Sequence, residues 1–328
     1  MKCLVTGAAG FIGSHLCELL LNEGHSVLGI DSLINGQEDN LSNFMDHPNF
    51  DFRVVDICHR DALTEIFSGQ DWVFHLAALA DIVPSIENPQ AYFDTNVTGT
   101  FNVLQAAKEA QVKRFVYSAS SSCYGLAKQV PTSELAPISP EYPYALTKYL
   151  GEELVMHWHK IYRFPTISLR LFNVYGPRSR TNGTYGAVFG VFLAQKLNKK
   201  PYTIVGDGSQ TRDFTYVSDV AEAFYAAARS ERVGESYNVG SGGHYSVNHL
   251  VKLLKGDKVY IPKRPGEPDC TFADTQKILK DLDWAPKVPF EKGVEQIMEH
   301  IDFWNKAPVW EPKSIEKATQ TWFNYLRN

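Results

Sequence analysis

The 328-residue chain contains no Cys-x-x-Cys pair, and its five cysteines (Cys3, Cys17, Cys58, Cys123, Cys270) are odd in number and unevenly spaced. A disulfide framework or a zinc site needs paired spacing, so the thiols are expected to be reduced and mostly buried, with no metal bound. A basic excess is also lacking. The formal charge is -5, and basic clusters such as Lys113-Arg114 and Lys199-Lys200 are only two residues long. A nucleic-acid partner would require a cationic stripe to neutralise phosphates, so none is expected. No uncharged apolar run approaches the ~18 residues of a membrane span. Met1-Lys2 leads straight into Cys3-Leu4-Val5-Thr6, which reads as a strand and not as a signal peptide. The expectation is a cytoplasmic protein with no membrane partner. What is present is 44% hydrophobic residues and 21% charged ones, enough for a sizeable core. At roughly 150 residues per domain the length suggests about two domains.

From residue 2 to about 172, short β-rich runs alternate with longer helical patterns. Strands are predicted over residues 2–5, 26–30, 51–55, 72–74, 114–117 and 166–171. Each is rich in Val, Ile, Leu or Phe without polar alternation, as for strands buried on both faces. Helices are predicted over 11–21, 60–68, 91–110 and 144–162. This alternation implies an α/β fold with a doubly wound parallel Rossmann sheet. After Asn173-Val174-Tyr175-Gly176-Pro177 the rhythm breaks. Helices over 188–197, 218–229, 246–254 and 290–304 mix with short strands and Pro/Gly turns, too few strands for a second large sheet. The predicted organisation is a cofactor domain over 1–173, a smaller mixed substrate lobe over 174–308, and a tail helix within 309–328.

The most specific local signal is Gly7-Ala8-Ala9-Gly10-Phe11-Ile12-Gly13, between the first strand and the first helix. Gly7 permits a tight turn, Gly10 lets backbone approach a pyrophosphate, and Gly13 lets helix pack on strand. The helix N-terminus then supplies unpaired N–H donors to phosphate. Asp31 closes the second strand, where a carboxylate can accept from an adenosine ribose and would repel a 2′-phosphate. No Lys or Arg follows in Ser32-Leu33-Ile34-Asn35-Gly36, so NAD is the expected cofactor. A helix-capping role is the plainer alternative for Asp31. Asp56-Ile57, after the third strand, offers a further contact to adenine.

The Gly-x-x-Gly-x-x-Gly spacing resembles that of the short-chain dehydrogenase/reductase superfamily, whose members carry a Tyr-x-x-x-Lys pair. Two such pairs occur, Tyr124/Lys128 and Tyr144/Lys148. The first contains Gly125 and belongs to a loop. The second opens a long helix, where i, i+4 spacing puts phenol and ammonium on one face. A phenol near pKa 10 is a poor base at neutral pH. The Lys148 ammonium and a nicotinamide cation are expected to lower it. A hydroxyl to orient the substrate oxygen is expected among Ser118, Ser120, Ser121 and Ser122. Spacing alone does not choose among them; the superfamily pattern selects Ser120.

With these residues placed, positions 1 to about 304 resemble the nucleotide-sugar epimerases and dehydratases, most closely UDP-hexose or UDP-N-acetylhexosamine 4-epimerases. The further motifs that carry the likeness are His75-Leu76-Ala77-Ala78, Asn96-Val97-Thr98-Gly99, Arg170-Leu171-Phe172-Asn173, Arg212-Asp213-Phe214 and Arg264-Pro265-Gly266-Glu267. The resemblance implies that Leu76, Ala77, Ala78, Asn96 and Phe172 line the NAD site. It also implies that Asn173 meets the substrate diphosphate, and that Arg212 and Arg264 clamp it, since guanidinium forks match phosphate oxygens. Ala80 departs from the pattern, standing where some members carry a lysine. The 4,6-dehydratases follow the catalytic hydroxyl with Asp-Glu. Here those positions are Ser121 and Ser122, which leaves 4-epimerisation. Thr271, two residues before Ala273, occupies the family's gate beside the sugar C2 group. Its small size implies room for an N-acetyl group, hence UDP-GlcNAc/UDP-GalNAc. Rival readings are 2-epimerisation, uronate 4-epimerisation or decarboxylation on the same scaffold, or a non-catalytic NAD-binding protein. A uronate enzyme would want an additional cation near C6. The helices over 91–110 and 144–162 resemble a pair used for homodimerisation, although Phe101, Val103, Leu104, Leu150, Leu154, Val155 and Trp158 can equally be ordinary core.

Overall fold

The computed structural model describes residues 1–179 and 186–326. Its centre is a seven-stranded, wholly parallel sheet. Six strands come in chain order from the first half: β1 (Lys2–Thr6), β2 (Ser26–Asp31), β3 (Phe50–Val54), β4 (Trp72–His75), β5 (Arg114–Ser120) and β6 (Thr166–Leu171). The spatial order is β3-β2-β1-β4-β5-β6, then Glu235–Val239 at the far edge. The winding direction reverses between β1 and β4. A crevice opens there at the carboxyl ends of the strands, where doubly wound sheets bind ligands.

Both faces of the sheet are covered. Leu4, Val73 and Phe115 pack on one side against Val103, Leu104 and Val155. Cys3, Val5 and Val116 pack on the other against Leu16, Leu20 and Phe224. Side chains buried on both sides explain why these strands read as unbroken apolar runs. β3 differs from that expectation. It is the sheet's edge, and Val54 is 61% exposed.

The seventh strand comes from beyond residue 173. Glu235–Val239 pairs in register with Ile167–Leu171, and the helix Val217–Arg229 before it packs on the helix Phe11–Asn22. A cut at 173 therefore does not separate sheet from lobe, because the chain leaves the sheet and returns to it. A third cluster forms the lobe proper, with Tyr175, Phe189, Phe214 and Phe290 stacked edge and face within it. Three two-stranded pairings complete it.

Several helices are shorter than their patterns suggest. The 60–68 run gives only two single turns, Arg60–Ala62 and Thr64–Phe67. The 91–110 run is interrupted by a π-helical stretch over Asp94–Gly99. The tail forms two helices, Pro312–Ala318 and Gln320–Tyr325, broken at Thr319. Of the thiols, Cys3, Cys17 and Cys123 are buried, and Cys58 and Cys270 partly exposed. Among the described residues no helix is long and apolar enough to cross a membrane, and no cluster of His, Cys, Asp or Glu is placed to hold a metal.

Candidate active site

A cavity of about 730 Å³ runs from the first glycine turn to the lobe. Its floor is made by Gly7, Gly10 and Gly13. Gly7 has φ +72°, and a Cβ on Gly13 would lie 2.0 Å from the Gly7 carbonyl oxygen. No larger residue can form this turn, so the backbone cradle for a pyrophosphate follows from the three glycines. Phe11 and Ile12 also line it, as do Leu76, Ala77 and Ala78 after β4.

Asp31 and Ser32 also line the cavity. The Asp31 carboxylate accepts the Ala9 N–H at 3.1 Å and the Leu33 N–H at 2.8 Å, so it fastens two loops instead of capping a helix. The Ser32 backbone also bonds to this carboxylate, which has about four acceptor positions in all. Burial raises its pKa, while those backbone donors pull it back down. Gly36 closes over it: a Cβ there would come within 2.6 Å of the carboxylate. Asp56 and Ile57 line the cavity beside it, with Asp56 also accepting the Cys58 N–H at 2.9 Å. A glycine cradle, a buried carboxylate and an apolar slot together fit NAD.

At the other end, β5 stops at Ser120 and the helix Pro143–Tyr162 begins with Pro143, whose fixed φ suits the first helical position. The Tyr144 hydroxyl donates to Ser120 Oγ at 3.5 Å, and the Ser122 N–H donates to the same oxygen at 3.2 Å. Among the four serines, this geometry brings Ser120 to Tyr144. Lys148 lies one turn along the helix, its Nζ 4.4 Å from the centre of the Tyr117 ring. Tyr124 takes no part. It is buried, accepts from Arg170 at 2.8 Å and donates to Asn238 at 2.7 Å.

The ionisation picture differs from the expectation. Burial raises the Tyr144 pKa, with the Ser120 hydrogen bond lowering it and the Asp81 charge raising it. Burial lowers Lys148 to about 7, against which the Glu152 charge works. Among the described residues no hydrogen bond joins Lys148 to Tyr144. In the protein alone, desolvation outweighs the attraction between ammonium and phenolate.

Asn96 is placed behind the cavity wall. It is fully buried and does not line the cavity. Its amide donates to the Leu79 carbonyl and to Thr147 Oγ1, and accepts the Leu79 N–H at 2.8 Å. It therefore holds the cofactor loop from behind.

On the lobe side, Phe172, Asn173, Arg212, Arg264 and Thr271 all line the cavity. Thr271 Oγ1 donates to Asn173 Oδ1 at 2.9 Å. Arg212 and Arg264 share one carboxylate, that of Glu267, at 2.8 and 3.3 Å. Three lining groups carried no sequence signal: Tyr142, stacked 6.3 Å from Tyr144, Asp81, and Trp322 from the tail. All three reach the cavity through tertiary packing, which spacing along the chain does not record.

Sheet, glycine turn and the Ser–Tyr–Lys group define an NAD-binding enzyme of the short-chain dehydrogenase/reductase type. Residues 3–240 match the NAD dependent epimerase/dehydratase family, and the chain belongs to it. A putative UDP-glucose 4-epimerase of Methanocaldococcus jannaschii is 35% identical over 303 residues, 90% of this chain and 96% of that protein. The UDP-glucuronic acid 4-epimerase of Bacillus cereus, solved with UDP-glucuronic acid and NAD, superposes with TM-score 0.86 at 36% identity, covering 92% of this chain and 99% of that one. The UDP-N-acetylglucosamine 4-epimerase of Methanobrevibacter ruminantium, solved with UDP-N-acetylmuramic acid, does so with TM-score 0.86 at 32% identity, covering 92% and 97%.

Proposed function

We propose that this NAD-dependent nucleotide-sugar 4-epimerase acts on UDP-GlcNAc and UDP-GalNAc, and works as a cytoplasmic homodimer. The observation that carries the substrate is Thr271. It lines the cavity on the lobe side with its hydroxyl on Asn173, and a residue of that size leaves space for an acetamido group.

In this reading Ser120 holds the sugar 4-oxygen and Tyr144 takes its proton. The glycine turn and Asp31 would hold NAD, which would supply the hydride acceptor and donor for C4. Lys148 orients the nicotinamide ribose from one helical turn away, and its charge favours the phenolate. Arg212 and Arg264 hold the diphosphate, so the 4-keto sugar can turn about that link. With hydride returned to the opposite face of C4, Tyr144 gives the proton back to the 4-oxygen. Ser121 and Ser122 carry no acid or base, so no proton is removed at C5 or C6.

A UDP-glucuronate substrate is the second reading, favoured by the likeness to the Bacillus cereus enzyme. Among the described lining residues the cations are Lys148, Arg212 and Arg264, all engaged elsewhere in this scheme. A uronate would then be held by the hydroxyls of Ser120 to Ser122. The test is incubation with UDP-GlcNAc, UDP-Glc and UDP-GlcA without added cofactor, with products separated by NMR. UDP-GalNAc should form, and Thr271→Tyr should cut that turnover at least tenfold while sparing UDP-Glc. Conversion of UDP-GlcA alone would establish the second reading instead.

A further inference from the structure

Resting on the reading of the cavity as a nucleotide-sugar site, we propose that Trp322 is a positioning residue for the substrate diphosphate: the C-terminal helices strap the cavity and hold the Arg264 guanidinium in place.

Two adjacent residues of the strap bond to opposite sides of the crevice. Thr321 Oγ1 donates to Glu87 at 2.9 Å, at the end of the helix Ile82–Glu87 that follows the cofactor loop. The Trp322 indole N–H donates to the Pro265 carbonyl at 2.7 Å, next to Arg264 in the lobe. Residues 319 to 322 thus join the two sides of the crevice. Trp322 is only 5% exposed, and it lines the same cavity as the glycine turn and Tyr144.

The Arg264 guanidinium carbon sits 5.2 Å from the centre of the Trp322 ring, within cation–π range. The ring constrains the guanidinium face, and the Glu267 carboxylate, 3.3 Å from Nε, constrains its edge. An arginine free in all its torsions would lose that freedom on binding phosphate; one already held between ring and carboxylate loses less. Arg212 reaches the same Glu267. The tail, Arg264, Glu267 and Arg212 therefore form one connected support, with one net positive charge for a diphosphate.

The test is calorimetric titration of the NAD-loaded enzyme with UDP and, separately, with uridine, which lacks the diphosphate. Trp322→Ala should weaken UDP about tenfold and leave uridine within about twofold. In an Arg264→Ala background, Trp322→Ala should change UDP affinity by less than about twofold, because the two residues act as a unit. Trp322→Phe keeps a ring but loses the bond to Pro265. It should fall between wild type and Trp322→Ala, and it carries the test if the alanine variant does not fold. Unchanged UDP affinity, equal losses for UDP and uridine, or losses that multiply in the double variant would overturn the assignment. If wild type binds no UDP, the reading of the cavity fails instead. UDP binding without sugar turnover leaves the role of Trp322 measurable.

Discussion

Lys148 shows how much an active-site residue costs its own fold. It is 4% exposed, and burial brings its ammonium down to about 7 from an ordinary 10.5. Below pH 7 folded and unfolded chains both carry the proton, so the folded state bears the whole desolvation cost. As pH rises from 7 toward 10.5, only the unfolded chain keeps the proton, and stability increases with pH. Lys148→Met should therefore raise the melting temperature by a few degrees, about 2–4 °C per kcal/mol regained, most at pH 6 and least at pH 10. Scanning calorimetry across that range checks it; a gain independent of pH would refute the assigned cause. Tyr144 and Lys148 were singled out in the sequence because the glycine fingerprint called for such a pair and the helical spacing puts these two on one face. Trp322 was not, because its partner Pro265 lies in a separate loop.

At the scale of elements, the π-helical stretch Asp94–Gly99 stands out. The predicted helix runs through it, since apolar periodicity records which residues face the core and not where one extra residue widens a turn. The widened turn carries Asn96, whose amide meets both backbone groups of Leu79. Asn96→Ala would remove the partners of a part-buried N–H and C=O of Leu79, at a cost of about 1 kcal/mol each. The expected outcome is a lower melting temperature and NAD released on dilution, read by cofactor fluorescence after gel filtration. Retained NAD with normal stability would show that the loop does not depend on Asn96. The six strands of the first stretch were legible to within three residues at each end, because short runs rich in Val, Ile, Leu and Phe stand out; the seventh, Glu235–Val239, was not predicted. The break at Thr319 in the tail carries no comparable mark.

For the molecule as a whole, the helices Thr100–Glu109 and Pro143–Tyr162 divide the residues named for self-association. Val103, Leu104, Val155 and Trp158 are core, so the sequence had mixed two roles. Leu146 at 45%, Ile161 at 54% and Tyr162 at 49% remain on the outside with Phe101 at 36%. These exposed apolar side chains are the ones the proposed homodimer would cover. Sedimentation should give twice the 36.9 kDa chain mass, and Leu146→Asp with Ile161→Asp should return a monomer. A wild-type monomer at micromolar concentration would remove the dimer.

The returning strand Glu235–Val239 also sets a timetable for synthesis. β6 leaves the ribosome with one edge bare, and the strand that covers it follows about 70 residues later. At ~5–20 residues per second that is an interval of a few to about fifteen seconds. Throughout it, an apolar parallel edge with unpaired N–H and C=O groups is open to any passing strand. The stretch translated in the meantime, the first part of the substrate lobe, emerges while the cofactor sheet is still unfinished. Birth order thus leaves the nucleotide-binding sheet incomplete until much of the lobe has been made.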